Sequence, residues 1–146
     1  MSVPPSSLSV SRKNTLRGRE AISTFFEQKR NLRLPFGCVL RAAYLATPSP
    51  EHPGLDFIIT VSKRIAKRAH DRNQLKRWVR AAIAQVPEFA EIEQKAKDSC
   101  LHITLLLSPT SPPSLRVNWG SVLQAVKAVA TQAQNSAFRI QHSPQE

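Results

Sequence analysis

The sequence predicts an α+β fold, in which helices pack on a small mixed sheet. Segments with strand-like patterning alternate with segments of helical periodicity, in the order helix, strand, strand, helix, strand, helix. The long connection between the second and third strands allows them to pair in parallel. The chain has 146 residues, of which 41% are hydrophobic, so we expect one domain with a moderate core, over residues 13–134.

The N-terminal part contains a polar segment and then a short helix. Residues 1–12 are rich in serine and proline and are predicted to be disordered. They lack the apolar stretch of a secretory signal, and their prolines argue against a transit helix, although the low acid content is compatible with one. The first helix is predicted over residues 19–29, because Ile22, Phe25 and Phe26 follow an i, i+3, i+4 pattern.

Three segments have the composition of strands. The first is predicted over residues 36–45 and is followed by a loop over 47–54, which contains three prolines and a glycine. The second strand covers residues 55–62 and is rich in β-branched and aromatic residues. The third strand, over 101–107, is strongly apolar and precedes a proline-rich loop at 108–114.

The central helix is predicted over residues 71–86. Asp71 is the expected N-cap, with Gln74 three residues later as in a capping box. Pro87 ends this helix or begins a turn. Residues 88–98 carry mixed charges and little apolar pattern, which leaves a short helix and a loop as open alternatives.

The last helix is predicted to begin after the cap residue Asn118 and to end at about Gln134. Residues 135–146 are polar and are predicted to form a loose C-terminal tail. The apolar stripe of this helix consists of Trp119, Val122, Leu123, Val126 and Ala130.

The sequence lacks the motifs of common catalytic and metal sites. Cys38 and Cys100 lie in separate apolar stretches without a CxxC pair, so we expect buried free thiols and a reducing, cytoplasmic compartment. The four histidines have no metal-ligand spacing. Neither a phosphate-binding loop nor an HExxH motif is present. We therefore predict no catalytic residue and no metal site in the protein itself.

The charge distribution is the most informative feature of the sequence. The net charge is +11, and sixteen of the 21 Lys and Arg residues lie at or before Arg80. Residues 63–80 contain eight cations and one acid, Asp71. A run of charges is often only a solvated face, but such faces usually mix both signs. An excess of this kind is typical of proteins that bind nucleic acid or an anionic surface.

The predicted central helix places cations beside an apolar arc. Arg72, Lys76 and Arg80 are spaced i, i+4, i+8, and like charges at that spacing repel by about a few tenths of a kcal/mol per pair. Stability alone would not favour this spacing, whereas a phosphate-binding surface would. The apolar arc consists of Leu75, Trp78, Val79, Ala82, Ile83 and Val86.

The segment SKRIAKRAHDRNQLKRWVR, residues 62–80, resembles the signature of the bacterial ribonuclease P protein component. That signature is a strand ending in Ser-Lys-Arg or similar, a short basic linker, and an Arg-Asn pair followed by spaced cations on a helix. The order of the flanking elements extends the resemblance to about residues 13–133. Gln74 is a departure, because the family usually has arginine there.

The resemblance implies a protein subunit of an endoribonuclease in which the partner RNA is the catalyst. That RNA would bind Mg²⁺ and remove the 5′ leader of precursor tRNA, while the protein binds the RNA and the leader. No membrane and no small-molecule substrate are implied. The fold implied is an α/β sandwich with a left-handed βαβ crossover, an exception to the usual right-handed rule.

The resemblance also implies roles for particular residues. Ile22, Phe26, Phe36 and Val39 fall at positions that line the leader cleft of the family, although each phenylalanine is also compatible with an ordinary core position. Ile22 replaces a usual phenylalanine and Val39 stands where an aromatic is frequent, so Tyr44 is an alternative stacking residue. The residues implied to bind RNA are Lys63, Arg64, Lys67, Arg68, Arg72, Asn73, Lys76, Arg77 and Arg80.

Two other functional classes compete with this interpretation. A structural RNA-binding protein, such as a ribosomal protein, would share the charge and the fold class without needing the spacing of residues 62–80. A nuclease that acts without RNA would need a cluster of ionisable residues, which the sequence does not provide.

Overall fold

The computed structural model describes residues 19–35 and 37–142, so the predicted disordered segment 1–12 and Phe36 lie outside the described residues. The described chain forms four helices and a four-stranded sheet, which confirms the α+β class. The elements are α1 (Arg19–Gln28), β1 (Arg30–Asn31), β2 (Leu40–Pro48), β3 (Gly54–Ile59), α2 (Ala69–Gln85), α3 (Glu88–Asp98), β4 (Leu101–Pro109) and α4 (Trp119–His142).

The sheet is mixed, with the strand order β1-β2-β4-β3. β2 runs antiparallel to both of its neighbours, and Leu40 lies opposite Pro109 at one end of its pairing with β4. β3 and β4 are parallel, with Gly54 beside His102, an arrangement that the long connection between them allows. α2 and α3 form that connection.

The main core lies between one face of the sheet and the helices α2, α3 and α4. Alternate residues of β2, β3 and β4 point to this face, as the pleat requires. Phe57 of β3 meets Phe89 of α3 edge to face, with ring centroids 5.5 Å apart. The predicted apolar arc of α2 is buried except for Trp78, which is half-buried against the same core.

α1 covers part of the opposite face of the sheet. Phe25, only 1% exposed, packs there against Ala43 and Ile58, with Leu45 and Leu106 at the edge of this smaller cluster. The sheet is thus buried on one face and only partly covered on the other.

The two long helices begin differently. At α4, Asn118 Oδ1 accepts a hydrogen bond from the Ser121 backbone N–H at 3.0 Å, and Ser121 Oγ accepts one from the Asn118 N–H at 2.9 Å, so the predicted cap is confirmed. At α2 the predicted Asp71 cap is wrong. The helix starts at Ala69, and its N-cap residue, Arg68, makes no side-chain cap bond. The preceding turn already brings the chain into helical geometry before Asp71.

Several boundaries differ from the predicted ones. β2 begins at Leu40 rather than at residue 36, because a turn precedes it in which Gly37 has a φ of +87°. It continues to Pro48 because its pairing with β4 extends that far. β1 is a two-residue strand without a sequence signal. The open alternative at residues 88–98 is settled as the helix α3.

The C-terminal part is more ordered than predicted. α4 continues past Gln134 to His142, and Ala137 is 1% exposed, so residues 135–142 are helical rather than a loose tail. Val122, Val126 and Ala130 of the predicted stripe are buried, and Trp119 and Leu123 pack at its edge. No helix within the described ranges is long and apolar enough to cross a membrane.

Both cysteines are free thiols, but they are not buried as expected. Cys38 is half-buried beside the start of β2. Cys100 is exposed, because it lies in the turn between α3 and β4 with a φ of +57°.

Candidate nucleic-acid interface

The segment that joins β3 to α2, residues 62–68, is an ordered turn and is here named the basic linker. The Ile65 and Ala66 backbone N–H groups both donate to the Ser62 carbonyl at 3.1 Å, and the Ile65 N–H also reaches Ser62 Oγ at 3.2 Å. Ala66 is 2% exposed and belongs to the main core. The backbone of the basic linker is therefore anchored while the side chains around Ala66 point outward.

The cations of the basic linker are all exposed, namely Lys63, Arg64, Lys67 and Arg68. They stand next to α2, whose buried arc holds the helix on the sheet. On α2, Asn73, Arg77 and Arg80 are exposed, whereas Arg72 and Lys76 are half-buried. The nine residues predicted to bind RNA thus lie on the basic linker and the first four turns of the helix.

Arg72 differs from the other cations because its guanidinium is bonded within the protein. Its Nη1 donates to the Ala66 carbonyl and to the Lys67 carbonyl, each at 2.9 Å. The side chain therefore runs from the first turn of α2 back to the basic linker. The sequence pattern gives no signal for this contact.

An open groove lies on the face of the sheet that α1 covers only in part. It has a volume of about 690 Å³ and is here named the α1 groove. Phe26, 45% exposed, lines it and stands edge to face on Phe25 at a centroid distance of 5.4 Å. Apolar and polar residues of the strands and their connections line the rest of it, and the polar ones include Lys29, Asn31, Thr60 and Ser108.

Arg41 connects the α1 groove to the basic linker. This exposed side chain lies on β2 opposite Ser108, and it lines both the α1 groove and a second hollow formed with Ser62 and Arg64. Sequence reasoning missed it. The available signal was a charged residue inside a strand, in phase with Ala43 and Leu45 rather than with the core residues Leu40 and Ala42.

The residues predicted to line a leader cleft are not all brought together. Phe26 lines the α1 groove, but Val39 lines a neighbouring hollow against Gln124 and Ala125 of α4. Ile22 is half-buried on α1, three residues before Phe25. Phe36 is outside the described residues. Tyr44 is 6% exposed in the main core, so it does not supply the alternative stacking surface.

Among the described residues, no His, Asp or Glu side chain lines the α1 groove. Asp56 Oδ2 and His102 Nε2 are 2.7 Å apart, on β3 and β4 towards the end of the sheet away from the basic linker. Within residues 19–35 and 37–142, no group of three or more His, Cys, Asp or Glu side chains is placed to hold a metal ion. The arrangement is suited to binding a polyanion.

The chain matches a known protein family. A family described as Ribonuclease P matches residues 10–134, which include every element from α1 to β4 and most of α4. The curated proteins contain no match to the chain.

Proposed function

The chain belongs to the ribonuclease P family as a protein subunit, and from this premise we propose that it holds two RNA segments on two sides of its sheet. Membership implies an RNA partner and a part in the nuclease reaction of tRNA processing. The finer proposal is that the catalytic RNA binds along α2 and the basic linker, and that the 5′ leader of precursor tRNA lies in the α1 groove. The partner RNA would supply catalysis and bind the Mg²⁺.

The observation that carries this proposal is the continuity of the two surfaces through Arg41. α2 packs on the main-core face of the sheet, whereas the α1 groove lies on the opposite face. The basic linker leaves β3 at the end where both surfaces meet, and Arg41 faces both the α1 groove and Arg64. The catalytic RNA on α2 and the leader in the α1 groove would thus lie beside each other on one continuous cationic surface.

The α1 groove combines the two features that hold an unpaired strand. An exposed aromatic ring offers a stacking surface for a base, and every base has a face that stacks. Phe26 supplies that ring, and its contact with the buried Phe25 fixes its position. Arg41 and Lys29 supply positive charge for the phosphates. Binding of this kind has little sequence preference, as a subunit that handles many leaders would need.

The surface of α2 and the basic linker is suited to a folded RNA. Its exposed cations project from an anchored backbone, so little backbone entropy is lost when phosphates bind. Contacts to phosphates position a nucleic acid without reading its sequence. The catalytic RNA would therefore be recognised by the spacing of its phosphates.

The test is cleavage of a 5′-labelled precursor tRNA by a ribonuclease P RNA at low Mg²⁺, with and without the protein. Strong rescue of cleavage by the protein is the expected result. A substrate with the leader shortened to one nucleotide is the matched control, and it should gain less from the protein. Equal cleavage with and without the protein, repeated with the RNA of the same host, would contradict the proposal. Co-sedimentation with ribosomal subunits would then favour a ribosomal role.

A further inference from the structure

We propose that Arg72 is a positioning residue, which fixes the basic linker for RNA binding, rather than a ligand of phosphate. Its place in the basic signature suggests a phosphate contact like that of its neighbours. Its geometry points instead to the protein's own backbone, since Nη1 donates to both the Ala66 and Lys67 carbonyls at 2.9 Å. These two bonds use both hydrogens of that nitrogen.

The position of Arg72 on the helix supports this role. A cation in the first turn of a helix is disfavoured by the helix dipole, because the N-terminal end carries partial positive charge. The two carbonyls that precede α2 offset this cost, since their oxygens accept from the guanidinium. α2 has no side-chain N-cap at Arg68, and the Arg72 guanidinium adds a side-chain link between the first turn and the basic linker to the backbone bond from the Arg72 N–H to the Arg68 carbonyl.

The contact completes a set of three anchors on the basic linker. Ser62 accepts the Ile65 and Ala66 N–H groups, Ala66 is buried in the core, and Arg72 holds the carbonyls of Ala66 and Lys67. Lys67 and Arg68 follow directly, with exposed side chains. Their backbone is thereby fixed before RNA arrives, which lowers the entropy lost on binding.

Lysine cannot take over this role although it keeps the charge. Its side chain is one bond shorter than the path to Nη1, so its ammonium does not reach both carbonyls from the same backbone position. Lysine still attracts a phosphate as a point charge. The R72K substitution therefore separates the positioning of the basic linker from a simple charge contact.

The first experiment measures the order of the basic linker without RNA, by limited digestion with trypsin. Cleavage after Lys63, Arg64, Lys67 and Arg68 should be about tenfold faster in R72K than in the unmodified protein, because opening the turn no longer breaks two charge-assisted bonds. Lys127→Ala, an exposed position on α4, is the matched control and should leave the rate unchanged. An unchanged rate of tryptic cleavage in the basic linker of R72K would overturn the proposal.

The second experiment measures affinity for the catalytic RNA and rests on the proposed function. R72K and R72A should weaken binding equally, by about tenfold. In a protein whose Lys63, Arg64, Lys67 and Arg68 are all replaced by glutamine, neither R72K nor R72A should change the affinity for the RNA further. Near-complete rescue by R72K, or an R72A loss that persists in the neutralised linker, would mean that Arg72 contacts phosphate itself and would overturn the proposal.

The two experiments fail in different ways. If the unmodified protein does not bind the RNA, the proposed function fails while the digestion result still decides the role of Arg72. If R72K does not fold, the role of Arg72 can be tested on the unmodified protein instead. NMR at low temperature should then resolve the two Nη1 hydrogens of Arg72, because both are hydrogen-bonded. A single averaged signal from a freely rotating guanidinium would overturn the proposal.

Discussion

At the scale of single residues, two consecutive phenylalanines of α1 have opposite environments. Phe25 is 1% exposed in the smaller core cluster, whereas Phe26 is 45% exposed at the α1 groove. Successive residues of a helix are 100° apart, so one side chain can point to the sheet while the next points along it. The pair offers a direct comparison between an aromatic that stabilises the fold and one that is available to RNA.

Alanine substitutions should separate these roles. Phe25→Ala should lower the free energy of unfolding by about 3–5 kcal/mol, because it leaves a cavity between α1 and the sheet. Phe26→Ala should change stability far less and should weaken binding of precursor tRNA relative to mature tRNA. Denaturant unfolding and binding titrations of both tRNAs measure the two effects. A stable Phe26→Ala protein with unchanged preference for precursor tRNA would exclude Phe26 as the stacking residue.

Arg41 is the second residue whose substitution tests the α1 groove. Arg41→Gln should weaken binding of a leader oligonucleotide and lower the slope of log affinity against log salt by about 0.7, the value for one phosphate of a single strand. Its exposed side chain predicts little change in stability. Titrations at several salt concentrations give the slope, with Arg33→Gln, another exposed arginine outside the α1 groove lining, as the control. Equal slopes in the two variants would mean that Arg41 does not contact the leader.

At the scale of elements, α2 has an apolar side that packs on the sheet and a side that carries cations. Its buried residues Leu75, Val79, Ala82 and Ile83 attach the helix to the sheet. Its cations other than Arg72 lie outside this buried arc, and within the described residues their charged groups bond to neither the helix nor the basic linker. The apolar attachment offsets the repulsion between cations one turn apart, so the cationic row is compatible with a stable helix. Substitution of the outer row should therefore change binding without unfolding the helix.

We expect Lys76→Ala and Arg80→Ala each to weaken binding of the catalytic RNA. Each should also reduce the salt slope by about 0.9, the value for one lost phosphate contact on a duplex. Circular dichroism should show unchanged helix content, because neither residue belongs to the core. The matched control is Lys127→Ala on α4, which should retain the full slope. Unchanged slopes for both α2 variants would place the RNA elsewhere.

The elements also show where sequence reasoning succeeds. The helical periodicity of α2 and α4 is strong, and so the buried arc and the Asn118 cap were predictable. Strand ends depend on pairing with a distant partner, which explains why β2 continues to Pro48 and why β1 escaped notice. The start of α2 was not predictable in the same way, because it depends on how the basic linker folds. Arg72 contacts carbonyls five and six residues earlier, and helical periodicity carries no signal for such a contact.

The candidate site was predictable to a different degree on each side of the sheet. The basic side follows from consecutive residues, so the signature at residues 62–80 located it. The α1 groove is assembled from α1, β2 and β4 and from the residues between them, which are distant in the chain. Arg41 faces this groove because of the pleat, and Tyr44 faces away for the same reason. If the strand register is predicted one residue out, Arg41 is assigned to the core and Tyr44 to the α1 groove.

At the scale of the whole molecule, positive charge is in excess. The net charge of +11 on 146 residues destabilises the folded protein, because its positive side chains repel one another. The basic linker concentrates part of this charge at one end of the sheet. Bound RNA would neutralise this charge. Salt should therefore have opposite effects on the free protein and on its complex.

Raising monovalent salt from about 0.01 M to about 0.1 M shortens the screening length from about 30 Å to about 10 Å. The free protein should then melt at a higher temperature, because its self-repulsion is screened. Over the same range the affinity for RNA should fall, because releasing counterions on binding gains less entropy when the bulk salt concentration is higher. Thermal melts and RNA titrations in chloride and in acetate measure both effects. Screening predicts equal shifts in the two salts, whereas a melting temperature that rises in only one of them would indicate a specific anion site. A melting temperature that falls with salt in both would mean that attraction between charges dominates, and that the cations are balanced within the protein.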